Sequence, residues 1–390
     1  MIEFKIFGEH DARTREQMAR CMGVGSVVGG VLCADGHLGY AQPVGGVIAY
    51  EEHVSISGVG YDIGCGNMAV RLDVPRAAID DRVGTILADI GRHVSFGIGR
   101  INAQRVEHDL FDDEEAWRAA DTGHLKAMAR DQLGTVGSGN HYVDLFEDED
   151  GFVWIGVHFG SRGLGHKSAT RYLKEAGGKD GIDVEPAVIA VASEIGQRYL
   201  AAMELAGRYA YAGREWVVER VRAIVGGAVT DSVHNHHNYA WRERHGERDL
   251  WVVRKGATPA FPGQRGFVGG SMGDDAVILS GIDSERARLS FYSTVHGAGR
   301  VMSRNEARGK RNRKTGEVIA AGRISPDAMQ AWLRARGVTL LGADLDEAPQ
   351  AYRRLPEVLA HHDGTVRIEH RLRPFAVAMA GADIFDPFKD

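Results

Sequence analysis

Short apolar runs that end at or are broken by glycine recur from one end of this chain to the other. They constrain its fold more than any other feature. A run of about four to eight apolar residues bounded by glycine suits a buried strand rather than an amphipathic helix. With 51 glycines in 390 residues, the pattern extends over the whole length. Val24–Cys33, Val44–Tyr50, Met68–Val74, Phe152–Val157, Leu250–Val253 and Val366–Met379 read as strands, and Leu289–Tyr292 as a β-rich run. Helical patterning falls at 11–22, 76–93, 112–131, 325–336 and 349–360, with a helical block at 185–225. Segments 76–93 and 112–131 read as partly exposed, either a lobe or an RNA-facing insertion. Val188, Val191, Ile195, Tyr199 and Ala202 step by three and four, the stripe of a core-facing helix, and carry packing only. No repeat or linker divides the chain. The expected class is α/β, in the mixed α+β sense: one large domain over 1–390 with mixed sheets, the helical block and a short tail at 382–390.

The residues that carry chemistry sit where these runs meet their glycines. Asp62 and Cys65 lie three apart on a Gly-rich loop, so acid and thiol can converge on one cation. His141 closes another Gly-rich turn, His158 ends a strand-like run, and His234, His236 and His237 form an imidazole cluster. Each also has a plain reading, as a turn acid, a core thiol or a solvated histidine. No CxxC or HxxxH spacing is present, so this is neither a zinc finger nor a zincin. Asp62, Cys65, His141, His158 and His237 are too many donors for one closed tetrahedral site, and a thiolate bridging two ions would use them well. Mixed O, N and S donors leave manganese, zinc and iron all open. Further along, His296 precedes Gly297, Ala298 and Gly299, small residues that let backbone approach a phosphate, with Arg300 beside them. With Arg162 and Lys255, this set points to phosphoryl or nucleotidyl transfer, a neutral His296 being the candidate nucleophile. The run Arg308, Lys310, Arg311, Arg313 and Lys314 is either a solvated face or a phosphate-backbone contact.

Composition excludes several classes. No apolar run reaches the roughly 18 residues of a membrane helix, and the first residues lack a signal-peptide core. Cys21, Cys33 and Cys65 leave one thiol over and make no disulfide framework, which fits the reducing cytoplasm. The net charge of −6 does not advertise nucleic-acid binding, so an RNA partner needs a local basic surface.

Taken in order, the motifs DGHLG (35–39), GVGYDIGCG (58–66), GTVGSGNH (134–141), VHFGSRGLGH (157–166), NHHNYAW (235–241), RKGAT (254–258), GSMG (270–273), HGAGRVMSR (296–304) and EAPQAY (347–352) resemble those of the RtcB family of RNA-splicing ligases. The resemblance spans almost the whole chain. It implies an RtcB-like α/β fold, two Mn²⁺ ions and GTP as cofactors, and the joining of RNA 2′,3′-cyclic phosphate or 3′-phosphate ends to 5′-hydroxyl ends. The RNA would be tRNA halves or cleaved structured RNA, with an accessory activator protein as a possible partner and no membrane. By this likeness Asp62, Cys65 and His141 hold one ion, Cys65 is shared with a second held by His158 and His237, and His296 takes GMP. Asn140, Asp144, Asn238, Gly270, Ser271, Met272, Gly297, Ala298, Gly299 and Tyr352 match nucleotide-binding positions. Arg162, Lys255, Arg300 and Arg304, as local positive charge on an acidic chain, are expected to bind RNA. The chain departs from the family where a Lys-Gly end is usual, having Met379-Ala380-Gly381, and has Ala276 where a Ser is usual. Lys389 in the tail is one candidate replacement. Two readings remain beside ligation: a dinuclear-metal phosphatase or cyclic phosphodiesterase without a guanylylation step, and a non-catalytic RNA-binding subunit.

Overall fold

The apolar runs assemble into two principal sheets in the computed structural model of the chain, which describes residues 3–311 and 318–384. The first sheet orders its strands Lys5–Ile6, Val27–His37, Val44–Tyr50, Arg248–Lys255 and Asn238–His245. The second runs Arg265–Val268, Ala276–Gly281, Val366–Gly381, Tyr142–Glu147, Phe152–Phe159, Gly66–Pro75 and Val229–His236, with Thr339–Ala343 alongside Val366–Gly381. Its two end strands come together. Phe267 N donates to Asn235 Oδ1 at 2.9 Å, and Asn67 Nδ2 donates to Phe267 O at 2.8 Å. Side chains thus bridge the seam where backbone pairing stops, and the sheet is nearly a closed barrel.

Alternation along each strand decides what faces inward. Ala69, Phe146, Trp154, Val233, Phe267, Ala276, Ile278 and Leu372 fill the interior. Their sequence neighbours Val70, Val143, Leu145, Val153, Ile155 and Val157 face outward, under the helices Val83–His93 and Glu194–Val225. His158 shares the parity of Trp154, and Asp144 that of Phe146. Both therefore lie on the inner face, towards one mouth of the barrel. His237 is the single residue between Val229–His236 of the barrel and Asn238–His245 of the other sheet.

The mixed α/β class is as expected, and Val44–Tyr50 has the bounds read from its glycines. Expectations for five segments are corrected. The helix of the 185–225 block begins only at Glu194, after Ser193 accepts a hydrogen bond from Gly196 N as N-cap, and runs 32 residues to Val225. Val188 lies in a strand, Val188–Ala190, paired with His53–Ser55, and Val191 follows that strand, so neither is on the helix stripe. Leu289–Tyr292 is not β: the Ser284-capped helix Glu285–Leu289 ends there, and Phe291 and Tyr292 adopt left-handed φ of 49° and 45°. Segment 112–131 breaks at Asp121, which has a φ of 49°. It is no separate lobe, because Trp117, Ala120 and Ala129 are buried in the core that contains Tyr199 and Tyr209 of the long helix. Likewise Ile86, Leu87 and Ile90 of 76–93 pack on the barrel. Segment 349–360 splits into the 3₁₀ turn Pro349–Ala351 and the helix Leu355–Ala360.

Candidate metal centre and active site

Five side chains from four segments converge at the barrel mouth. Cys65 stands at the start of Gly66–Pro75, His158 near the end of Phe152–Phe159, and His141 just before Tyr142–Glu147. Two donor trios form, Asp62–Cys65–His141 and Cys65–His158–His237, each with ligand atoms within 4.8 Å of one another. They share Cys65. Its Sγ lies 3.3 Å from His158 Nε2 and 3.8 Å from His141 Nε2, and the latter is 3.1 Å from Asp62 Oδ2. His158 Nδ1 donates to Asn140 O at 3.0 Å, which fixes the tautomer and turns the Nε2 lone pair to the thiol. Nδ1 of His237 is buried with no hydrogen-bond partner, an orphan that a cation would satisfy.

Protonation favours the same use. Burial pushes His158 and His237 well below the ordinary histidine range, leaving them neutral, the form that binds metal. Burial also raises the Asp62 carboxyl, but its hydrogen bond to His141 and the His141 charge outweigh this and bring it to about 2. Burial pushes the Cys65 thiol up, and a coordinating divalent cation reverses that by taking the thiolate directly. The residues fit a dinuclear site with a bridging sulfur.

His296 adjoins this centre, its ring 5.0 Å from that of His237. Asp35 governs it. His296 Nδ1 donates to Asp35 Oδ2 at 2.6 Å, and the backbone N–H groups of His296 and Gly297 reach the same oxygen at 2.9 and 3.3 Å. Asp35 is fully buried. Burial raises its carboxyl, while the His296 contacts lower it further, so it stays ionised. With Nδ1 committed as a donor, Nε2 keeps its lone pair. Asp35 thus belongs to the site, and its one signal in the sequence is its place in DGHLG.

A cavity of about 1430 Å³ joins these groups. All ten positions matched to nucleotide binding border it, from Asn140 and Asp144 to Tyr352. Asp144 is buried, its carboxyl raised by desolvation, and Oδ1 has no partner. Met379 pairs with Tyr142 across neighbouring strands and borders the cavity, whereas Ala276 faces the barrel interior. Arg162, Lys255, Arg300 and Arg304 also border it, with their donors engaged. Arg300 donates to Tyr352 Oη at 2.8 Å and to Asp346 O at 2.6 Å, and Arg304 pairs with Asp346 at 3.0 Å and with Glu347. Arg162 reaches Gly97 O at 2.9 Å, and Lys255 reaches Tyr40 O at 2.6 Å. In the basic run, Arg308 lies 3.7 Å from Asp344, while Arg313 and Lys314, like Lys389, fall outside the described residues. Among the described residues, no helix is long and apolar enough to cross a membrane.

A family model described as "tRNA-splicing ligase RtcB" matches residues 17–380. Among curated proteins, the chain is 32% identical to a tRNA-splicing ligase RtcB of Thermococcus kodakarensis, over 94% of this chain and 91% of that protein. It is 31% identical to an RNA-splicing ligase RtcB of Mycobacterium tuberculosis, over 87% of this chain and 94% of that protein. An Escherichia coli RNA-splicing ligase is 29% identical, over 87% of each.

Proposed function

Since this chain belongs to the RtcB family, and is by that membership an RNA ligase, we propose that it joins RNA ends through a guanylylated His296 beside a pair of Mn²⁺ ions. One observation carries the proposal: two donor trios share a single thiol next to a histidine whose Nδ1 is held by a buried carboxylate. When bound, the two ions supply Lewis-acid charge against the phosphates and the departing pyrophosphate. Asp62, Cys65 and His141 would hold one ion, and Cys65, His158 and His237 the other.

His296 Nε2 attacks the α-phosphorus of GTP, forming a P–N bond as the bond to pyrophosphate breaks. Asp35 keeps the Nδ1 proton in place and stabilises the charge that develops on the ring. An RNA 2′,3′-cyclic phosphate is first opened by water to a 3′-phosphate. An oxygen of that phosphate then attacks phosphorus, the P–N bond breaks, and His296 returns to its starting form. GMP now activates the 3′ end. The 5′-hydroxyl of the second RNA attacks the 3′-phosphorus, its proton is lost, and GMP leaves. The Gly297–Gly299 backbone and Ser271 lie along the cavity where a nucleotide would be bound. tRNA halves or other cleaved structured RNA are the proposed substrates, in the cytoplasm, with an accessory activator protein as a further partner.

The test supplies α-labelled GTP and Mn²⁺, then an RNA with a cyclic-phosphate end and one with a 5′-hydroxyl end. Acid-labile label on the parent chain, none on His296→Ala, and GTP-dependent joining are expected. Opening of the cyclic end without joining would give a cyclic phosphodiesterase instead, release of inorganic phosphate a phosphatase, and RNA retention with neither a binding subunit.

A further inference from the structure

The long helix Glu194–Val225 reaches the metal centre with one charged side chain, Arg214, which is completely buried. Among the described residues no carboxylate lies within ion-pair distance of its guanidinium, so salt bridging does not account for a cation in this position. What surrounds it is specific. Nη1 donates to Gly64 O at 3.0 Å and to Phe159 O at 2.6 Å. Nη2 lies 3.0 Å from His236 Nδ1, which is itself 2.9 Å from Gly64 O, and Nε donates to His234 Nε2 at 2.8 Å. Gly64 precedes Cys65, Phe159 follows His158, and His236 precedes His237. One planar cation therefore touches the immediate neighbour of every donor in the Cys65–His158–His237 trio, on two strands and in the turn that leads into a third.

We propose that Arg214 is a positioning residue of the metal centre, holding in register the three backbone segments that present Cys65, His158 and His237. This rests on the dinuclear reading above. A guanidinium suits the task because its donors lie in one rigid plane and can bind several acceptors at once, whereas an ammonium is a single point on a flexible stem. The backbone supports the same clamp: His237 N donates to Cys65 O at 2.8 Å, and Gly64 N to Asn238 O at 2.9 Å. Arg214 touches none of the three donor side chains in these hydrogen bonds, so it acts through their neighbours: two backbone carbonyls and the His236 ring.

Arg214→Lys and Arg214→Met are to be titrated with Co²⁺ alone, following the thiolate-to-cobalt charge-transfer band, with thermal unfolding recorded for each metal-free chain. Loss of a residue that holds metal ligands in place weakens metal binding about 10- to 100-fold. We expect that range for both variants, with a weakened thiolate band even in the Lys variant, which keeps the charge. Val221→Ala, a core truncation on the same helix, controls for lost stability and is expected to leave the band and the affinity unchanged. Parental affinity and band in Arg214→Lys would overturn the proposal. So would an equal loss in Val221→Ala, because helix stability would then explain the effect. If Arg214→Met does not fold, Arg214→Lys decides alone. A parent chain without a thiolate band would instead overturn the dinuclear reading, and the clamp with it.

Discussion

At the scale of the residue, the centre divides into what local sequence carries and what only folding brings together. Cys65 and Asp62 announce themselves by spacing and glycine, and His158 by the strand it ends. Asp35 and His296 stand 261 residues apart, and no local pattern predicts that their side chains meet at 2.6 Å. Asp35→Asn preserves shape but presents an amide where the imidazole needs a carboxylate. Guanylylation of His296 should fall about 10²–10⁴-fold, by analogy with the same exchange in a Ser-His-Asp triad. Single-turnover labelling with GTP measures it, and a rate within a factor of a few of the parent would remove Asp35 from the mechanism. Cys65→Ser should keep the fold and lose both ions, since serine is a poor ligand at neutral pH and the sulfur belongs to both trios. Elemental analysis decides; a full metal content would return Cys65 to the status of a core thiol. Cys21, whose Sγ donates to Ala41 O at 3.2 Å and whose pKa burial pushes up to about 12, should be replaceable without loss of metal.

At the scale of the element, glycine and capping signals were readable and aromatic β-propensity misled. Phe291 and Tyr292 favour strands in isolation, yet Ser284 capping a preceding helix places them in a left-handed turn. His158 reads as the end of a strand, and the strand in fact runs one residue further to Phe159, so its inward direction follows from alternation rather than from loop geometry. Loop packing around the donors is tight. A Cβ on Gly160 would run into the Asp62 carboxylate, and one on Gly137 into the His141 ring. Gly160→Ala is therefore expected to displace Asp62 and lose the ion of the Asp62–Cys65–His141 trio while retaining that of Cys65–His158–His237. Metal content and the cobalt spectrum report this together. Retention of both ions would show that the Gly160 loop can shift without cost.

At the scale of the whole molecule, the mixed class was legible and the closure of the barrel was not. Its seam depends on Asn67, just before an apolar run, and on Asn235, inside the histidine cluster, and neither carries a local signal of that pairing. Buried and half-buried histidines give the metal-free protein a signature pH response. His37 and His362 are pushed from 6.5 to about 4 by burial, and His158, His236 and His237 well below their ordinary range. The unfolded chain takes up protons near 6.5 while the folded one does not. The stability is thus present above 6.5 and is lost as pH falls from there towards 4. Thermal unfolding at steps of pH should show Tm falling across that window; a flat profile would mean these rings are solvated. Base selection is the other global property. Met379 and Ala380 offer no charged group where the family usually has a Lys, and one lost charged hydrogen bond is typically on the order of 1.5–3 kcal/mol. Labelling of His296 should therefore discriminate weakly between GTP and ATP. Strict GTP use, both in the full chain and in one ending at Gly381, would locate base choice elsewhere, with Asp144 the first residue to test. The span between Asp35 and His296 also has a consequence in time. A ribosome must release nearly three hundred residues before acid, thiol, imidazoles and nucleophile can coexist, so a nascent chain has no means of consuming nucleotide or joining the RNA around it.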